Sequence, residues 1–324
     1  SRSRADHHPI PAAGLPAAGL HVQRDTRGEP MTEGIVLRGV GGFYRVLLDD
    51  GRTVECRPRG RLRKDGMTLL AGDRVAVELL PDGTGAIEAV APRRTELRRP
   101  AVANVDQVVV VMALADPPPN FLLLDRLLAV AECQGLEPLL CWTKADLCSR
   151  EAAEEITRPY RDAGYPAIVT SVVTGQGIAD LREALRSHIS TFAGPSGTGK
   201  SSLLNALDPS LNRQTGEISR KLGRGRHTTR VVELLPVPGG GLVADTPGFS
   251  QLDVTSIPKA ELGRCMREFV RFLAECRFPG CLHRAEPGCA VRAAVGAGNI
   301  HPRRYQHYLE LLQEIEEWEA HRYS

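Results

Sequence analysis

Gly194-Pro195-Ser196-Gly197-Thr198-Gly199-Lys200-Ser201 has the residue types and spacing of a loop that wraps phosphate. Its glycines let backbone N–H groups turn inward around an anion, and a helix opening at its end adds a positive pole. The flanks supply that context. An apolar run, Ile189–Ala193, precedes the loop, and Ser202-Leu203-Leu204-Asn205-Ala206-Leu207 opens a helix after it. In such a loop Lys200 reaches the β- and γ-phosphates of a nucleotide, and the Ser201 hydroxyl ligates Mg²⁺. The expected contact set is Gly194, Ser196, Gly197, Thr198, Gly199, Lys200, Ser201 and Ser202. An incidental Gly-rich turn would need neither the strand nor the helix.

Asp245-Thr246-Pro247-Gly248 lies further on, after the apolar residues Leu242-Val243-Ala244. An aspartate at a strand end holds Mg²⁺ through water, and Gly248 after it offers an N–H to the γ-phosphate. Asp-x-Pro-Gly is also a good turn sequence, so its distance from the phosphate loop gives it meaning. Between the two lies His227-Thr228-Thr229. Thr228 is read as a Mg²⁺ ligand on a mobile switch, with Thr229 beside it; the bland alternative is an ordinary exposed loop. Many G proteins place a glutamine after the second switch glycine to orient the attacking water. Phe249 stands there instead and forms no hydrogen bond. Turnover without a partner is therefore expected to be slow. His227 is the candidate for positioning the water or offsetting phosphate charge, unless it merely contacts solvent or RNA.

Base choice is expected from Thr143-Lys144-Ala145-Asp146, after the apolar residues Leu139–Trp142. A carboxylate at Asp146 accepts from both N1–H and the exocyclic amine of guanine, a donor pair that adenine lacks. The Lys144 stem lies along the base. G proteins usually carry Asn at the first position; Thr143 has fewer hydrogen-bonding sites than that amide, which predicts weaker nucleotide binding. Ser171, in Thr170-Ser171-Val172-Val173-Thr174-Gly175, falls where a second base-contacting loop belongs.

Cys276-(x4)-Cys281-x-His283-(x5)-Cys289 offers three thiolates and one imidazole. That donor set closes a tetrahedral Zn²⁺ site with no open position, so one structural zinc per chain is expected. Free buried cysteines or a disulfide are the competing readings, and a reducing compartment disfavours the second. Cys56, Cys133, Cys141, Cys148 and Cys265 fit no motif and read as small core residues.

The elements that must position these residues follow from periodicity and turn signals. Short β-type runs at Gly34–Leu37, Phe43–Leu48, Thr53–Cys56, Arg74–Leu79 and Gly85–Val90 are broken by Gly and Asp turns. They predict a small β-barrel of the oligonucleotide-binding (OB) type over 31–95, although a Src-homology-like barrel leaves a similar trace. From Pro100 the pattern changes to apolar strands alternating with helices: Val108–Leu114, Phe121–Cys133, Leu139–Trp142, Glu151–Ala163, Ala167–Thr170 and Ile178–Leu185. It continues through the phosphate loop to strands near Val231–Leu235 and Leu242–Asp245. Such alternation predicts a parallel α/β domain over 100–257. Residues 258–324 read as a mainly helical domain around the cysteine cluster. The last helix, Pro302–His321, carries Tyr305, Tyr308, Leu312 and Ile315 on one packing face.

At 324 residues with 42% hydrophobic and 25% charged content, the chain is globular and multidomain. No apolar run has the length of a membrane span, and a cytoplasmic monomer is expected. Residues 1–30, rich in Pro, Gly, Ala and Arg, read as a disordered extension ahead of a candidate start at Met31. The net charge of +2 excludes little, but Arg57, Arg59, Arg61, Arg63 and Lys64 crowd one stretch of the barrel. A second basic cluster holds Arg220, Lys221, Arg224, Arg226 and Arg230. Both are candidates for neutralising nucleic-acid phosphates, and both would also suit a solvated face.

The segments run in an unusual order: guanine loops, then phosphate loop, then switches. That is the order of a circularly permuted GTPase domain, in which the second switch leads directly into the C-terminal domain. The chain resembles the bacterial small-ribosomal-subunit-dependent GTPase A family over Gly34 to Trp318. The resemblance rests on Arg59-Gly60-Arg61-Leu62-Arg63, Asn104-Val105-Asp106-Gln107, the phosphate loop through Leu203 and Gly225-Arg226-His227-Thr228-Thr229. Thr143 and Arg230 depart from the family's commoner Asn and Thr. The resemblance implies an OB-type barrel, a permuted GTPase using GTP with Mg²⁺, a C-terminal zinc domain, and hydrolysis stimulated by rRNA in late assembly of the 30S subunit. An rRNA-binding module with a catalytically weak G domain is the alternative; intact Lys200, Ser201 and Asp245 argue against it.

Overall fold

The computed structural model describes residues 31–60, 62, 68–98, 101–209, 232–245 and 253–322, with backbone alone at 98, 245 and 322. His227, Thr228, Thr229, Gly248, Arg61, Arg63 and Lys64 lie outside the described residues, as do 1–30 and the second basic cluster. The chain divides into two compact units. One comprises 1–106, 179–191 and 204–248; the other comprises 107–178, 192–203 and 249–324.

In the first unit, β1 (Thr32–Val40), β2 (Phe43–Leu48), β3 (Thr53–Pro58), β4 (Arg74–Leu79) and β5 (Gly85–Val90) close a barrel in the order β1-β2-β3-β5-β4. The out-of-sequence step, β3 parallel to β5, is a Greek-key connection and fits the OB-type expectation. Alternation sends Val46, Leu48, Val54, Cys56, Val75, Val77 and Ile87 inward to one core. Two three-residue strands, β6 (Glu96–Arg98) and β7 (Ala101–Ala103), form a hairpin beyond the barrel. Asn104, held at φ 57°, ends it by donating to the Gly72 carbonyl at 2.8 Å and accepting from the Arg94 amide at 2.9 Å. Gly72 has no alternative there, because an added Cβ would meet the Ala103 carbonyl oxygen at 1.9 Å.

The second unit begins with β8 (Gln107–Ala113), every residue of which is buried, as a strand covered on both faces requires. It pairs in parallel with β9 (Glu137–Thr143), which pairs in parallel with β10 (Ala167–Val169). Helix α1 (Phe121–Cys133) starts where the Asn120 side chain accepts from the Leu123 amide. Helix α2 (Arg150–Asp162) starts the same way at Ser149.

Helix α3 (Ile178–Ala184) and β11 (Ile189–Ala193) lead to the phosphate loop, and α4 (Lys200–Leu207) follows it. In the first unit, β11 pairs in parallel with β13 (Leu242–Asp245), whereas β12 (Glu233–Pro236) runs antiparallel to β13. The expected all-parallel arrangement fails at that pair. Pro238-Gly239-Gly240-Gly241 joins the two strands as a tight turn, and a parallel pair would need a crossover connection.

The C-terminal segment is helical: α5 (Val270–Leu273), α6 (Ala290–Gly296) and α7 (Pro302–Arg322), with short 3-10 turns before them. Tyr308, Leu311, Leu312 and Ile315 of α7 are buried with Phe269, Met266, Leu262 and Ile300, and this core continues onto Ala129 and Val130 of α1. Cys56, Cys141 and Cys265 are buried as expected. Cys133 is exposed and Cys148 only half-buried, because they lie at the end of α1 and in the loop after β9.

Candidate nucleotide and metal sites

The phosphate loop leaves β11 at Gly194, whose φ of 140° brings its backbone against β8. A Cβ there would meet the Val111 carbonyl oxygen at 2.2 Å, so only glycine fits. Gly197 and Gly199 also have positive φ, at 82° and 88°. Thr198 is buried and its hydroxyl donates to the Pro195 carbonyl at 2.9 Å, bracing the turn. Ser196, Gly197, Ser201 and Ser202 are exposed around the opening of α4, where its first N–H groups have no helical partners. The Lys200 ammonium folds back to donate to the carbonyls of Gly194 at 2.8 Å and Pro195 at 2.6 Å. Burial pushes the Lys200 pKa down. Among the described residues its hydrogen-bond partners are backbone carbonyls, and a phosphate would provide an anionic one.

The guanine loop meets the phosphate loop through one side chain. Thr143, last residue of β9 and buried, donates from its hydroxyl to the Thr198 carbonyl at 2.6 Å. Lys144 follows in the left-handed conformation, φ 58°, and its Nζ donates to the Asp116 carbonyl. That reversal starts the 3-10 turn Ala145–Leu147 and leaves Asp146 exposed on the outside of the loop. Ser171, fully buried, donates to Asp146 Oδ1 at 2.5 Å and accepts from the Val173 amide at 3.2 Å. The loops after β9 and β10 are therefore tied to one another.

A cavity of about 250 Å³ opens between these loops and α4. It is lined by Thr143, Lys144, Asp146, Leu147, Val172, Val173, Gly199, Ser202 and Leu203. Apolar side chains from the two loops would cover the faces of a planar base, with the Asp146 carboxylate at its polar edge. Val173 is 78% exposed and Leu147 53%, an amount of bare apolar surface that a bound base would reduce. Neither apolar residue was singled out in the sequence, since a valine or leucine in a polar loop carries no motif. Asp245 ends β13 as expected, with its backbone alone described.

Cys276, Cys281, His283 and Cys289 bring their ligand atoms within 4.8 Å of one another. His283 Nδ1 lies 3.6 Å from Cys276 Sγ and 3.4 Å from Cys289 Sγ. A tetrahedral site with metal–nitrogen bonds of about 2.0 Å and metal–sulfur bonds of about 2.3 Å separates N from S by roughly 3.5 Å. The donor set and spacing thus fit a metal, with Nδ1 as the ligating nitrogen. The ring's other nitrogen faces Gly263, where a Cβ would approach it to 3.0 Å. Burial pushes the His283 pKa down, toward the neutral form a metal needs.

The loop itself is braced from outside. Glu286 accepts from the amides of Leu282, Arg284 and Ala285, while Tyr305 and Tyr308 of α7 donate to the carbonyls of His283 and Leu282. Glu286 carries no motif in the sequence, and Tyr305 and Tyr308, expected on a packing face, are revealed by the fold to brace the loop as well.

On the barrel, Arg57 is exposed and its guanidinium stacks 4.1 Å from the centre of the Phe43 ring, itself 41% exposed. Arg59 is exposed but already pairs with Glu78 and Glu88. The basic stretch is thus less uniform than its sequence: Arg59 is neutralised within the barrel, whereas Arg57 presents a cation stacked on an aromatic.

The comparisons with known proteins agree with this geometry. A family model described as RsgA GTPase matches residues 90–255, and one described as RsgA N-terminal domain matches residues 33–87. The small ribosomal subunit biogenesis GTPase RsgA of Moorella thermoacetica is 52% identical over 283 residues, covering 87% of this chain and 97% of that protein. The protein of the same name from Geobacillus kaustophilus is 47% identical over 290 residues, covering 89% and 98%. Among solved structures, YjeQ from Thermotoga maritima superposes with a TM-score of 0.76 at 36% identity, covering 88% of this chain and 98% of that one. YloQ, described as a circularly permuted GTPase, gives a TM-score of 0.76 at 35% identity, covering 91% and 98%. With both family models matched and the permuted order of its loops preserved, the chain belongs to the RsgA GTPase family and is a GTP-hydrolysing enzyme.

Proposed function

We propose that this GTPase acts in maturation of the small ribosomal subunit, binding GTP and GDP in the cavity beside Thr143 and Asp146 and engaging rRNA through its barrel. The observation that carries the reading is the junction of the base cavity with the phosphate loop through the Thr143–Thr198 hydrogen bond. Guanine recognition and phosphate recognition are thereby mechanically one unit. The relatives' name, small ribosomal subunit biogenesis GTPase, supplies the ribosomal context.

In this reading Asp146 selects guanine, and Ser171 keeps its carboxylate oriented. Lys200 and the loop amides hold the phosphates, with Ser202 at the edge of the site. Ser201 and Thr228 ligate Mg²⁺, and Asp245 and Gly248 serve the metal and the γ-phosphate. His227, with Thr228 and Thr229, arranges the water. Magnesium supplies charge neutralisation between the β- and γ-phosphates.

The Cys276–Cys281–His283–Cys289 site holds one structural zinc, which the protein's three-sulfur, one-nitrogen donor set favours. Arg57, Arg61, Arg63 and Lys64 contact rRNA, with Arg59 orienting that surface. We assign 31–95 to the barrel, 100–257 to the GTPase domain and 258–324 to the zinc domain, in a cytoplasmic monomer. No helix among the described residues is long and apolar enough to cross a membrane.

Sedimentation of the full chain with isolated 30S subunits tests the ribosomal assignment. Co-migration that is stronger with a non-hydrolysable GTP analogue than with GDP supports it; absence of co-migration in either state overturns it.

A further inference from the structure

The base cavity has an unusual acceptor-rich corner. At its junction with the phosphate loop stands Thr143, buried, with a single hydroxyl proton. Thr198 O accepts that proton at 2.6 Å, and the other acceptor near the hydroxyl, Met112 O at 3.4 Å, is also a backbone carbonyl. Gly199 closes the corner: a Cβ added there would lie 3.8 Å from the Thr143 hydroxyl oxygen. Seen from the cavity, Thr143 therefore offers lone pairs and no donor.

With Asp146 on the N1–H and exocyclic-amine edge, the placement under Proposed function turns the opposite, five-membered-ring edge of guanine toward Thr143, and its N7 is an acceptor only. An acceptor facing lone pairs gains nothing, whereas a donor there would form a bond. Asparagine differs because its amide carries two N–H groups, one for Thr198 O and one left for the base. We propose that Thr143 makes this GTPase indifferent to N7 of guanine. It is a positioning and specificity residue, tying the guanine loop to the phosphate loop while leaving the five-membered ring of the base unread. Discrimination then falls on the six-membered ring, where Asp146 meets N1–H and the exocyclic amine. This inference rests on the placement of the base given under Proposed function.

The probe is 7-deaza-GTP, in which N7 is replaced by C–H. Affinities of GTP and 7-deaza-GTP are measured with the full chain by displacement of a fluorescent GDP. Wild type is expected to bind the two within about twofold. Thr143→Asn is expected to bind GTP more tightly than wild type and to prefer it over 7-deaza-GTP by about three- to tenfold, the scale of one added hydrogen bond. Thr143→Ser keeps the single hydroxyl and should remain indifferent.

A wild-type preference for GTP of fivefold or more, on the order of one full hydrogen bond, overturns the inference without need of any variant. So does a folded Thr143→Asn that remains indifferent. Failure of the underlying placement is seen separately, in Asp146→Asn: if that variant does not shift preference from GTP toward xanthosine triphosphate, the base lies elsewhere.

Discussion

Arg304 of α7 and Asp125 of α1 form a fully buried ion pair, with Arg304 Nη1 2.6 Å from Asp125 Oδ1 and no solvent exposure on either side chain. Glu268 completes the coordination of the guanidinium at 2.7 and 2.8 Å, and His307 Nδ1 lies 2.6 Å from the second Asp125 oxygen. Tyr160 and Tyr165 flank the cation with ring centres 5.5 and 5.3 Å away. Nearby carboxylates hold the Arg304 pKa far above its usual value despite its desolvation. The network joins the C-terminal helix α7 to α1, the helix that follows β8.

Removing one partner strands a buried charge. Arg304→Ala should destabilise the chain by about 3–5 kcal/mol, read from denaturant unfolding. Arg304→Met should be less damaging than Arg304→Ala, since it fills the volume, but still harmful because Asp125 and Glu268 lose their counter-charge. A loss below about 1 kcal/mol would place the network among dispensable contacts.

Metal removal should act on the C-terminal segment first. One zinc per chain is expected by elemental analysis, and Cys281→Ser should abolish it and loosen the helices around Phe269 and Tyr308. Nucleotide binding should survive, because the loops after β9, β10 and β11 contain none of the ligands. Protein free of zinc with an unchanged near-ultraviolet spectrum would contradict the assignment.

Much of this was legible in the sequence, and the exceptions have physical causes. Phe121–Cys133 was readable as a helix because its apolar spacing follows the 3.6-residue period, and Asn120 caps it. The phosphate loop was readable because strand, glycines and helix occur together. By contrast, β6 and β7 are too short for alternation to register. Arg304 carries no signal in the sequence, and only the fold reveals the two carboxylates, Asp125 and Glu268, that surround it. The Thr143 contact was invisible because Thr198 lies 55 positions away. The antiparallel β12–β13 pair was missed because strand direction depends on the connecting turn.

Asp146→Asn should lower use of GTP and favour xanthosine triphosphate, since an amide presents a donor where the carboxylate accepts two. Retained preference for GTP would displace the base site. Ser171→Ala should weaken GTP binding by about three- to tenfold, because it frees the carboxylate that Ser171 now orients.

The barrel surface is tested with charge reversal. Arg57→Glu, and separately Arg61→Glu with Arg63→Glu, should weaken 30S binding and flatten its dependence on salt, as fewer counterions are released. Arg59→Glu should instead disturb the barrel itself by placing a third carboxylate beside Glu78 and Glu88. Binding that is unchanged for all three across a salt series would leave these arginines as a solvated face.

The proposed completion of GTP hydrolysis on the small subunit is tested directly by the GTP hydrolysis rate with and without isolated 30S subunits. With Phe249 unable to orient water, the chain alone should be slow, and 30S subunits should raise the rate by about a hundredfold, the scale of one positioned proton-transfer group. His227→Ala should remove most of that increase while leaving GTP affinity and 30S binding close to wild type. A rate that 30S subunits leave unchanged, in protein that binds GTP normally, would contradict the account.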